Sequence, residues 1–135
     1  MTLMNQAKLD QWHKVIFEKD YELLNDLLAE NVEFHSPTVW APKKGRDITA
    51  YILKMVSEIF QDFEYHREWI DGDSFALEFS AMVGDKRIKG IDLIRWNEDG
   101  QIIHFEVMMR PINGLQLMFE KMTQHLRDAG FLPAE

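Results

Sequence analysis

The stretch GIDLIRWNEDGQIIHFEVMMRP, residues 90–111, reads as two strands around a turn at Asn97-Glu98-Asp99-Gly100. Side chains repeat every second residue along a strand, so Asp92 shares a face with Ile94 and Trp96. A carboxyl group on an otherwise apolar face is either a structural group with a hydrogen-bonding partner or a working acid in a pocket. If Trp96 pairs with Gln101, Asp92 falls opposite Phe105, near Ile94, Ile103 and Val107. Such a group is desolvated and its pKa rises, which suits a hydrogen-bond donor or proton-transfer group near neutrality. Its structural partners would be Trp12, Tyr51 or a backbone group.

Outward from this hairpin, two more strands are legible. FEYHREWIDGD, residues 63–73, ends in an Asp-Gly turn, and SFALEFSAMVGD, residues 74–85, is its partner, with Phe75, Leu77, Phe79, Ala81 and Val83 on one face. Helical spacing predicts helices over about 4–18, from Asp20 as N-cap to Asn31, over Ile48–Phe60 with Asp47 as cap, and over about 112–129. The last carries Leu115, Met118, Met122 and Leu126 on one stripe, with Asn113 or Gly114 in the preceding turn and Gly130 as its stop. VEFHSP is a short strand stopped by Pro37, followed by the loop TVWAPKKG. Strands joined by short turns form a mostly antiparallel sheet. The expected fold is α+β: a curved sheet wrapped on N-terminal helices, forming a cone with an apolar pocket, plus a C-terminal helix.

The 135 residues suit one domain spanning 1–135. With 46% hydrophobic and 28% charged residues the chain reads as globular. The absence of cysteine excludes disulfides and thiolate metal sites. A net charge of −8 argues against nucleic acid and anionic membrane as partners. No apolar run approaches the ~20 residues of a spanning helix, and the first ten residues lack a signal-peptide core, so the expected location is cytoplasmic.

The order helix–helix–AENVEFHSP–loop–GRDITAYI–meander–GIDLIRWNEDGQIIHFEV resembles the nuclear transport factor 2-like superfamily, and within it the SnoaL-like group, over about residues 5–111. That superfamily includes steroid isomerases, polyketide cyclases, epoxide hydrolases, dehydratases and non-catalytic binders, so the fold leaves function open. GIDLIRW is similar to the ketosteroid isomerase strand whose protonated Asp donates to the substrate oxygen, and the resemblance places Asp92 at that position. Ser36, beside His35, stands where those isomerases carry a general-base Asp, and Trp12 stands where they carry a donor Tyr. Limonene epoxide hydrolases also place a catalytic Asp at Asp92; Gly90 and Val107 occupy the positions of their Arg and second Asp.

The candidate catalytic residues are therefore Asp92 and His35. His35 is either an acid–base partner across the pocket or a structural histidine, depending on which way its strand faces. The candidate ligand-binding residues are Trp12, Trp40, Tyr51, Met55, Phe79, Ile94, Phe105, Val107 and Met109. His66 and Glu68 alternate without a third ligand at metal-like spacing, so no metal is expected, and no cofactor. The expected function is binding of a small, mostly apolar molecule, with cofactor-free proton transfer of an isomerase or cyclase type at Asp92. The alternatives are a ligand carrier or sensor, and a dimerisation module whose cavity is filled by its own side chains. Ile91, Leu93, His104, Glu106 and Met108 form a mixed row on the opposite sheet face, too apolar for a fully wet surface, and point to a homodimer.

Overall fold

The computed structural model describes residues 2–132; the remaining positions of the 1–135 span lie outside the described residues. The elements are α1 (Leu3–Glu18), α2 (Tyr21–Leu27), β1 (Leu28–His35), β2 (Lys43–Lys44), α3 (Arg46–Ile59), β3 (Gln61–Asp71), β4 (Ser74–Val83), β5 (Lys86–Trp96), β6 (Ile102–Arg110) and α4 (Ile112–Asp128). The strands form one open sheet in the order β2-β1-β6-β5-β4-β3. Among the described residues only β1 and β6 run parallel; the other neighbours are antiparallel, so the sheet is mixed and mostly antiparallel, consistent with the expected α+β cone.

The inward face of β4 is the expected one: Phe75, Leu77, Phe79, Ala81 and Val83 are all buried. They join Trp12 and Val15 of α1, Leu24 and Leu27 of α2, and Phe34 and Phe105 of the facing strands in one core. Trp12 packs its ring 5.2 Å from that of Phe105, tying the first helix to the middle of the sheet. Asp20 caps α2 as expected, its carboxylate accepting from the Leu23 N–H at 3.1 Å.

Four local expectations change. The helix predicted to run to Asn31 ends at Leu27, because Leu28 pairs with Ile102 of β6 and its carbonyl accepts from Arg46 Nε at 2.9 Å. Tertiary pairing outweighs helix propensity there. The cap of α3 is Gly45, at φ 106°, a conformation that only glycine adopts freely; Asp47 sits in the first turn, where its charge favours the helix dipole. In the central hairpin, Trp96 pairs with Ile102 and the register then slips by one residue, so Asp92 lies opposite Val107, not Phe105. The net two-residue change preserves the faces of Phe105 and Val107, but it buries Ile102 in place of Ile103.

Gly114 is not a turn residue but lies inside α4. A Cβ there would come within 2.3 Å of Ile88 Cγ2, so its bare backbone sets how closely α4 approaches β5. From that point the helix crosses the open side of the cone, with Met118 and Leu126 buried and Met122 half-buried.

Gly114→Ala should therefore lower the unfolding free energy by about 1–3 kcal/mol, since Ile88 is buried, β-branched and unable to turn its methyl away. Urea denaturation checks this, and the same substitution would be stabilising if the helix could lift from the strand.

Candidate functional site

Between the sheet and α3 and α4 lies a cavity of about 460 Å³. Its walls are Trp12 and Ile16 of α1, Phe34 of β1, Ile52, Leu53 and Val56 of α3, Phe79 of β4, Phe105, Val107 and Met109 of β6, and Met118, Met122 and Leu126 of α4. The exposed residues Lys19, Thr38, Val39 and Asp62 mark its opening. Among the described residues, Asp92 is the one β5 side chain in the lining.

Asp92 is 6% exposed and does not stand alone. The Tyr65 hydroxyl donates to its Oδ2 at 2.7 Å, and Trp12 Nε1 donates to that hydroxyl at 2.8 Å. The chain indole–phenol–carboxyl satisfies both buried aromatic polar atoms and leaves Oδ1 as the oxygen available to a ligand. Burial pushes the Asp92 carboxyl up to about 7, with the Tyr65 hydrogen bond pulling it back. The Tyr65 phenol is itself held well above its ordinary value, first by burial and then by the neighbouring carboxylate. Tyr65 remains a proton donor, while Asp92 passes between neutral donor and charged acceptor near pH 7.

The sequence-based candidates divide sharply. Trp12, Phe79, Phe105, Val107, Met109 and Asp92 meet in the cavity. Ile94 is buried in the core and contributes nothing to the lining. Tyr51 turns its hydroxyl away to donate to the His125 carbonyl at 2.9 Å, and its ring packs on Phe131. Met55 is half-buried on α3 outside the lining. Trp40 is 98% exposed and outside the lining, although Thr38 and Val39 just before it mark the opening. His35 lies on the outer face, because Phe34 before it points into the cavity and the strand alternates. It cannot be the acid–base partner of Asp92. Tyr65, the residue that does touch Asp92, reaches it diagonally past β4, where Phe79 pairs with both Tyr65 and Gly90. Its only sequence signal is a hydroxylated aromatic in phase with Phe63.

On the outer face, Glu78 is 7% exposed yet sits beneath long cationic side chains, not deep in the fold. Arg67 donates to it at 2.8 and 2.6 Å, and Lys89 Nζ lies 3.2 Å away. The Arg67 hydrogen bonds hold its carboxyl down at about 2. It is a structural charge cluster on the side of β4 opposite Leu77 and Phe79.

The model of the SnoaL-like domain matches residues 9–105. Among solved structures, a steroid delta-isomerase from Pseudomonas aeruginosa is 40% identical, with 98% of each chain covered and a TM-score of 0.89. A protein conserved in bacteria with a cystatin-like fold, from Silicibacter pomeroyi, is 37% identical over 92% of this chain and 89% of its own, with a TM-score of 0.86. A nuclear transport factor 2-like protein of unknown function from Mesorhizobium loti shares the fold at 17% identity, covering 80% of this chain and 92% of its own, with a TM-score of 0.69. No curated protein matches the chain.

The buried acid makes stability depend on pH in a defined window. Folded Asp92 keeps its proton up to about pH 7, whereas the unfolded residue loses it near 3.8. Its contribution is complete below that lower value and is lost as pH rises through 7, at up to about 1.4 kcal/mol per pH unit. Glu78 acts oppositely and lower, its contribution being lost as pH falls from 4.5 towards 2. Chemical denaturation of Asp92→Asn between pH 4 and 7 should show a flatter profile than the parent. Tyr65→Phe should lose about 1–3 kcal/mol, because Trp12 Nε1 and Asp92 both lose a partner, and should move the upper end of the window to higher pH.

Proposed function

The chain belongs to the SnoaL-like domain family, within the nuclear transport factor 2-like superfamily, and on that premise we propose that its cavity binds a small, mostly apolar molecule through one carbonyl or hydroxyl group held by Asp92. The observation that carries this reading is the buried Asp92 carboxyl group, at about 7, set in an apolar wall with one oxygen uncommitted. The cavity volume falls within the ~300–1,000 Å³ range of small-molecule sites. Met109, Met118 and Met122 give the wall an adaptable surface. A cavity of this size also speaks against filling by the chain's own side chains.

The chemistry we propose is cofactor-free proton transfer beside a carbonyl, of the kind that moves a double bond into conjugation. Neutral Asp92 donates a hydrogen bond to the carbonyl oxygen and stabilises the enolate formed when the Asp62 carboxylate takes a proton from the carbon between the carbonyl and the double bond; Asp62 then returns that proton to the far carbon of the double bond. Asp62 is the other carboxylate in the lining, exposed at the opening. The same cavity without a positioned base describes a carrier, and the fate of the bound molecule separates the two. A β,γ-unsaturated 3-ketosteroid is a suitable probe. Quenching of Trp12 fluorescence reads binding, and growth of conjugated-enone absorbance reads turnover. Binding should weaken at least tenfold in Asp92→Leu and largely survive in Asp92→Asn, whose amide still donates. Binding with turnover supports the enzyme, and binding without turnover supports the carrier. Equal binding by the parent and Asp92→Leu would remove Asp92 from the site.

We also propose a cytoplasmic homodimer formed through the outer sheet face, where Trp69 and Met108 are about half exposed beside Ile91 and Leu93. Light scattering should give twice the 16.0 kDa chain mass. No helix among the described residues is long and apolar enough to cross a membrane.

A further inference from the structure

The parallel pairing of β1 with β6 sets Glu33 beside His104 and His35 beside Glu106, all on the outer face. The imidazoles of His35 and His104 stack with centroids 4.5 Å apart. His35 Nε2 lies 3.6 Å from Glu33 Oε2, and His104 Nε2 lies 3.2 Å from Glu106 Oε1. One ligand atom each from Glu33, His35 and His104 falls within 4.8 Å of the others. His35 Nε2 is shielded from solvent and has no hydrogen-bond partner. Buried polar atoms are nearly always partnered, so this nitrogen asks for an occupant. Lys44 Nζ, 3.9 Å from Glu33 Oε1, is the nearby cation from β2, and it is mostly exposed.

We propose that Glu33, His35 and His104 form a surface site for a borderline-soft divalent metal ion, with zinc the best fit and Glu106 as a fourth ligand or as the group orienting His104. Two neutral imidazoles and carboxylate oxygens are a zinc donor set; magnesium and calcium prefer oxygen alone. A tetrahedral ion with bonds of about 2.0–2.2 Å holds its ligand atoms roughly 3.5 Å apart, so the observed spread closes with small side-chain rotations. The carboxylates balance the ion's charge, and the orphaned nitrogen of His35 gains its partner. The site backs directly onto the cavity wall: Phe34, before His35, and Phe105, before Glu106, both line it. An ion there pins β1 to β6 behind the pocket, next to the Ser36–Val39 segment at its opening.

Calorimetric titration of zinc chloride into tag-free, chelator-treated full-length protein tests this. The expected result is one zinc per chain, a rise in thermal midpoint on loading, and no heat from magnesium chloride. His104→Ala and His35→Ala should each lose affinity at least tenfold, while His66→Ala, at a surface histidine bonded to Ser80, should bind like the parent. If either histidine variant fails to fold, Glu33→Gln carries the same comparison, its side chain being 41% exposed. No saturable zinc binding, or equal binding by the parent and the Glu33, His35 and His104 variants, overturns the proposal.

Discussion

Each side chain of β6 must choose one side of the sheet. Phe105, Val107 and Met109 go to the cavity, and His104, Glu106 and Met108 go to the opposite surface. The same rule on β5 sends Asp92 inward and Ile91 and Leu93 outward. Because β6 pairs with β1 on one side and β5 on the other, this alternation is imposed on three strands at once. A one-residue slip along β6 would empty the cavity wall of its apolar groups and place a histidine and a glutamate inside. The hairpin bulge at Arg95–Trp96 lies at the turn end, before the cavity stretch begins, so its irregularity does not reach the wall.

The buried acid depends on that alternation and on a second condition, the hydrogen bond from Tyr65. A carboxyl group in an apolar wall with no partner would stay neutral well beyond pH 7, and a fully ion-paired one would stay charged. Glu78, on the other face, shows the second outcome: the same functional group, flanked by Arg67 and Lys89, titrates at about 2. Two carboxyl groups near each other on adjacent strands thus differ by about five pH units because one faces rings and the other faces guanidinium and ammonium groups. Trp12 completes the inner arrangement by donating to the phenol, which lets Tyr65 aim its own proton at Asp92.

Features with a short period were legible in the sequence. The inward faces of β4 and β6, the position of Asp92, the Asp20 cap and the stripe of α4 all follow from spacing within one element. Partners brought together over long separations were not. Tyr65 meets Asp92 across two strands, and His35 meets His104 through a parallel crossover that no local pattern announces. Trp40 misled because a tryptophan between prolines looks like a pocket wall, whereas its loop leaves it in solvent. Tyr51 and Met55 misled in another way: both follow the helical spacing of α3, but the Tyr51 hydroxyl donates to the His125 carbonyl of α4 and Met55 is half-buried outside the lining.

The tight contact at Gly114 gives α4 one immovable end. Its first turn rests on Ile88 and the carbonyl of Arg87, with no space to advance, while its far end is tied to α3 by the Tyr51–His125 bond. The helix is therefore a beam with a fixed footing and a releasable clasp. Its distal half sets the gap between α3 and α4, and with it the width of the cavity. Substitutions at the clasp would change that width without touching a single residue of the wall.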